Sequence, residues 1–194
     1  MAEGLVRNET PTEYFKELVE SALSHQRVEA GAMTSFYLVN LLAGFVQPNR
    51  AEIDQDEPLG VRFVKALQAG GSTQRHGLRR VGDLSLFISG YFSDSLNRSL
   101  VDVDYYIALG ERAYGSLARH GDDTFTDVFD ELAEKFNGFV DVLTEVSERT
   151  GMTSNRDLLR LYERWLRTKS RYSGDLLVQQ GIVPNASVSS RFVQ

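Results

Sequence analysis

The chain has 194 residues, 42% hydrophobic and 25% charged, with a formal net charge of −6. Such a composition suits one soluble globular domain with a sizeable core, and it argues against a disordered or fibrous chain and against a general nucleic-acid binder. Cysteine is absent, which removes disulfides, thiolate catalysis, zinc–thiolate sites and iron–sulfur clusters and fits a reducing cytoplasm.

Residues 1–9 carry charges without an apolar run, so they are expected to be a flexible N-terminus and not a signal peptide. Helical punctuation recurs from there on, while strict polar–apolar alternation is nearly missing. Thr10-Pro11-Thr12-Glu13 is a capping box with proline at the first helical position, and Tyr14, Phe15, Leu18 and Ala22 follow on one face of a first helix reaching about His25. After Gly31, Thr34 is expected to cap a second helix, "SFYLVNLLAGFV", which is apolar on nearly all sides. Pro58 starts a third helix, "LGVRFVKALQA", and Gly70-Gly71 ends it.

A fourth helix, about 73–93, spreads Val81, Leu84, Phe87, Ile88, Tyr91 and Phe92 around most of its circumference. Such a helix is expected at the centre, buried by its neighbours. Its uncharged run, Leu84 to Ser93, is about half the length needed to span a bilayer, so no membrane segment is expected there.

The fifth helix, capped by Asp102, carries Val103, Tyr106, Leu109, Ala113, Tyr114 and Leu117 on one side and stops at Gly121. A sixth, from about Asp123 to Arg149, carries the stripe Val128, Phe129, Leu132, Phe136, Phe139, Val140, Leu143 and Val146. After Gly151, Ser154-Asn155-Arg156-Asp157 opens a seventh helix running to about Arg171, and "GDLLVQQ" forms a short eighth before Gly181. The expected architecture is therefore a single all-α domain of seven or eight helices over 10–181, followed by a tail or docking arm at 182–194.

Metal chemistry finds no legible motif. Residues three before His25, His76 and His120 are Ala22, Thr73 and Leu117, so the Glu-x-x-His pairs of a di-iron bundle are absent. The cluster Asp122, Asp123, Asp127 and Asp130 has a spacing that resembles the magnesium motif of terpenoid synthases. That fold needs a second facing cluster and a longer chain, whereas acids in a first helical turn serve simply as caps and complement the helix dipole. A phosphate-binding loop and a serine-nucleophile elbow are also missing. No metal, no cofactor and no catalytic residue are assigned, and an enzyme is the least favoured class.

Two charged stripes remain. Asp123, Asp127, Asp130, Glu131, Glu134, Asp141, Glu145 and Glu148 share a sector of roughly 100° opposite the apolar stripe. On the seventh helix Arg156, Arg160, Arg164, Arg167 and Arg171 occupy a sector of about 80°. Arginine binds carboxylates and phosphates bidentately, so this row is expected to meet solvent first, an acidic protein surface second and a nucleic-acid backbone last, the acidic stripe being one candidate within the molecule or across a homodimer. A third group, Arg75, His76, Arg79 and Arg80, opens the fourth helix, where cations oppose the helix dipole; exposed loop charge is the expectation and anion binding the alternative.

The fourth helix also carries small residues, Gly82, Ser85, Ser89 and Ser93, on one face. Close packing by a neighbouring helix is the expectation. The alternative is a slot for an apolar ligand, haem included, lined by Gly82, Ser85, Ser89, Phe87, Phe92, Tyr106 and Tyr114 of the fourth and fifth helices. The leading functional expectation is a non-enzymatic, cytoplasmic helical domain acting through protein contacts and forming a homo-oligomer, with neither membrane nor nucleic acid as partner. A small-ligand sensor or carrier is the second.

Overall fold

A computed structural model describes residues 10–45, 57–91, 102–121, 124–151, 161, 164, 165 and 168–179. Among them the protein is all-helical, with no strand. The helices are α1 (Pro11–Gln26), α2 (Ala32–Phe45), α3 (Leu59–Gln68), α4 (Gly71–Tyr91), α5 (Val103–Arg119), α6 (Thr126–Glu134), α7 (Phe136–Gly151) and α8 (Arg171–Gln179). Leu161, Arg164, Trp165 and Thr168 are helical as well.

Local chemistry explains most of the boundaries. The capping box of α1 is fully formed: Thr10 Oγ1 accepts from the Glu13 amide at 3.3 Å, and Glu13 Oε2 accepts from the Thr10 amide at 2.9 Å. Arg27 ends α1 in the left-handed region at φ 54. Asp102 stands at the N-cap of α5 without a side-chain capping bond.

Three boundaries differ from the sequence expectation. The second helix begins at Ala32, and Thr34 lies inside it, buried, with its hydroxyl bonded to Glu131. α4 starts two residues before Thr73, at Gly71, whose φ of +58 lies in the left-handed region that favours glycine. The long sixth helix is two helices joined at Lys135, whose amide bonds to the Glu131 carbonyl while its own carbonyl accepts from Phe139. This joint turns Phe136 toward Gly110 of α5, where a side chain on the glycine would overlap the ring.

α4 is the central helix. α5 lies along it, and α3 and α7 pack beside it. Leu78, Val81, Leu84, Leu86 and Phe87 point in several directions and are all buried. The stripe residues Val128, Phe129, Leu132, Phe136, Phe139, Val140, Leu143 and Val146 are buried too. Full burial of one such side chain stabilises by about 1.5–3 kcal/mol. No helix among the described residues is long and apolar enough to cross a membrane.

Candidate functional site

α2 meets α4 only at points. Near its middle Tyr37 reaches Asp83, and at its end the Phe45 ring stacks on Phe87 with centroids 4.5 Å apart. Between these contacts lies a cleft of about 360 Å³. Phe36, Tyr37, Asn40, Leu41, Gly44 and Phe45 line it from α2, because residues three and four apart share a helix face. Arg79, Arg80 and Asp83 line it from α4, and Phe125 closes one side.

A polar network stands at its base. Asp83 Oδ1 accepts from the Tyr37 hydroxyl at 2.5 Å and from the Tyr114 hydroxyl at 2.8 Å. Arg79 Nε donates to the Tyr37 oxygen at 3.1 Å and lies 3.7 Å from Asp83 Oδ2. The Arg79 guanidinium also sits 5.1 Å from the centroid of the Tyr37 ring, and that of Arg80 sits 5.8 Å from the Phe45 ring. Asp83 is thus tied to α2 by Tyr37 and to α5 by Tyr114.

Burial raises the Asp83 pKa above the ordinary carboxyl range, even though both phenols and both arginines favour its charged form. Burial and the adjacent carboxyl push Tyr37 and Tyr114 upward, so both phenols remain protonated donors across the accessible pH range. A perturbed carboxyl beside a cleft is a recognised mark of a functional site. Fixed donors, a half-exposed guanidinium and aromatic walls suit the arrangement to holding a small molecule.

A smaller cavity, about 200 Å³, adjoins the first. Arg75, His76, Arg79, Leu117, Phe125 and Phe129 line it, so Arg79 and Phe125 belong to both. The basic group that opens α4 therefore fronts two neighbouring hollows. Arg75 Nη1 donates to the His120 carbonyl at 3.4 Å.

The sequence-derived slot along α4 and α5 is occupied by protein. A Cβ on Gly82 would come 2.6 Å from the Tyr114 ring, so the absent side chain is what lets that ring lie against α4. Ser85 faces Gly110 and Phe136, and its hydroxyl is buried without a hydrogen-bond partner. The Ser89 hydroxyl bonds back to the Ser85 carbonyl at 2.7 Å. Gly90 faces Leu143 and the Val140 carbonyl of α7. Phe87 is fully buried between Phe45 and Tyr91. Tyr106 is half-buried beside Tyr105. Tyr114 reaches the cleft only through its hydroxyl, and Phe92 lies outside the described residues.

Of the arginine row, Arg156, Arg160 and Arg167 lie outside the described residues, and Arg171 is exposed. Arg164 is 2% exposed and donates to Glu148 of α7. Its partner is thus a member of the acidic stripe in the same molecule. That stripe is itself divided: Asp127, Asp130 and Glu134 are exposed, whereas Glu145 is fully buried. Arg149 at 2.7 Å, Gln26 at 3.0 Å and His25 at 3.0 Å surround Glu145, because α1 covers this side of α7. Among the described residues no three His, Asp or Glu side chains converge as a metal-binding group.

Sequence reasoning passed over Asp83, Tyr37 and the α2 face. One signal was present for Asp83, the lone charge between Val81 and Tyr91. No family model, curated protein or solved structure matches the chain.

Proposed function

We propose that the protein is a small-molecule-binding domain, a sensor or carrier, whose site is the cleft between α2 and α4. The observation that carries this reading is the cleft itself: about 360 Å³, walled by aromatic and aliphatic side chains, with Arg79, Arg80 and Asp83 along one edge. Ligand sites of this size with a few convergent polar groups are the usual form of a recognition pocket. The lack of cysteine supports a reducing, cytoplasmic setting. A fragment screen followed by amide chemical shifts tests the reading. Hits should perturb the amides of Asn40, Gly44 and Asp83, and they should vanish in Gly44→Phe, which grows a ring into open space at the cleft. No hits, or hits insensitive to that substitution, would overturn it.

A second reading, contact with another protein or a second copy of the chain, is favoured by α3. Val61, Val64 and Leu67 lie along one side of this short helix and keep 44%, 51% and 43% of their surface exposed. Light scattering over a concentration series tests it. A dimer that dissociates in Val64→Glu supports the reading, and a monomer at every concentration with no partner recovered removes it.

A further inference from the structure

The cleft's walls account for an apolar ligand body, but Arg79 also reaches solvent at the cleft, and the way that side chain is held narrows the ligand further. Arginine carries five N–H donors in a planar fork. In Arg79 the Nε–H is engaged by the Tyr37 hydroxyl, and the face of the guanidinium lies over the Tyr37 ring. Tyr37 in turn is fixed by its 2.5 Å bond to Asp83, and Asp83 by Tyr114 of the buried core. The fork is therefore oriented by a chain of hydrogen bonds that reaches from α2 through α4 to α5.

That chain leaves the far edge of the fork unspent. Among the described residues, neither Nη group of Arg79 makes a hydrogen bond, and Asp83 approaches the guanidinium nearest to Nε, at 3.7 Å. The Arg79 side chain is 52% exposed, so its donors can be reached from the cleft mouth. Two parallel N–H groups on one edge match the two oxygens of a carboxylate or a phosphate monoester. Arg80 lines the same wall. At ~30 Å³ for each water displaced, the cleft holds about a dozen non-hydrogen atoms.

Resting on the ligand-binding reading, we infer that the α2–α4 cleft takes a small anionic amphiphile whose carboxylate or phosphate head is gripped by the Nη edge of Arg79. Its apolar body then lies between Leu41, Phe45 and Phe125. Tyr37 and Asp83 are positioning residues, since they hold the arginine and leave the head group to it.

Calorimetric titration of the full chain with decanoate, decyl phosphate and decanol tests this. Decanoate, decyl phosphate or both should bind at least about tenfold more tightly than decanol, and Arg79→Gln should weaken the anions about 10- to 100-fold while leaving decanol unchanged. Gly44→Phe should abolish all binding, with circular dichroism confirming that both variants are folded. Which anion binds more tightly identifies the head group. If decanol binds as tightly as the anions and Gly44→Phe blocks all three, the head-group inference falls and the cleft stands. If no probe binds, or binding survives Gly44→Phe, the inference and the cleft reading fall together.

Discussion

α4 presents two faces of opposite character to its neighbours. On one, Gly82 admits the Tyr114 ring and Ser85 lies at close range to Gly110 of α5. On the other, Arg79, Arg80 and Asp83 project toward α2 and hold it off except at Tyr37 and Phe45. Small residues bring a neighbour in until the gap disappears, whereas long polar side chains act as spacers. One helix can therefore seal a core on one side and keep a cleft on the other without any break in its backbone.

The sealed face should tolerate the least. In Gly110→Leu the new side chain collides with Phe136 and Ser85, which are both buried, and neither has room to retreat. A loss of about 3 kcal/mol in urea unfolding is expected, net of the gain in helix propensity. A change below about 1 kcal/mol would show that the sealed face is softer than its packing implies.

Two carboxyls, Asp83 on α4 and the half-buried Asp141 on α7, also differ in their surroundings. Asp83 receives two phenol donors, while Asp141 on α7 makes no hydrogen bond among the described residues and has only the charge of Arg164 in its favour. Burial pushes the Asp141 pKa up to about 6. The folded state therefore holds this proton more tightly than the unfolded chain. The associated stability is complete below about pH 4 and is lost as the pH rises through 6. Asp141→Asn should stabilise the protein by about 2 kcal/mol at pH 7.5 and change little at pH 4. Equal effects at both pH values would remove burial of the charge as the cause.

Tyr114→Phe keeps the ring packed on Gly82 and deletes only the hydroxyl bond to Asp83. It should cost about 1.5 kcal/mol, the usual worth of a bond to a charged group. Because Asp83 then loses one of its two donors, the same substitution should loosen Arg79 and weaken any anion bound there. The smallest effect belongs to the open face. Gly44→Ala meets nothing within 4 Å, so it should leave stability unchanged or raise it by about 0.5 kcal/mol through helix propensity. A destabilisation larger than that would mean the cleft edge is closed by contacts at this position.

The sequence made the helices readable because their signals are local. Thr10 and Glu13 cap α1 within a four-residue window, and the stripe from Val128 to Val146 repeats every three or four residues. The joint at Lys135 was not readable, since the apolar pattern continues through it, and the close approach of Phe136 to Gly110 joins residues twenty-six positions apart. The small-residue face was recognised on α4, but its partners were not: the ring that fills it comes from Tyr114, itself read as a wall of the slot. The cleft was invisible for the same reason. Tyr37 and Asp83 are forty-six positions apart, and their meeting follows from the docking of α2, which no local pattern encodes. The buried Glu145 shows the limit of stripe reasoning, because an acid that lines a helix face can be covered by another helix, here α1, which brings Gln26 and His25 to it beside Arg149 of its own helix.

Beneath the cleft, Glu131 accepts from the Gly31 amide at 3.0 Å, and Lys135 bridges Glu131 and the Glu29 carbonyl, each at 2.9 Å. The turn that launches α2 is thereby bolted to the α6–α7 joint by directional bonds. The far end of α2 rests instead on the Phe45 ring, stacked on Phe87 with centroids 4.5 Å apart. Hydrogen bonds fix direction as well as distance, whereas stacked rings fix chiefly separation, so the two ends of α2 are held by contacts of different kinds.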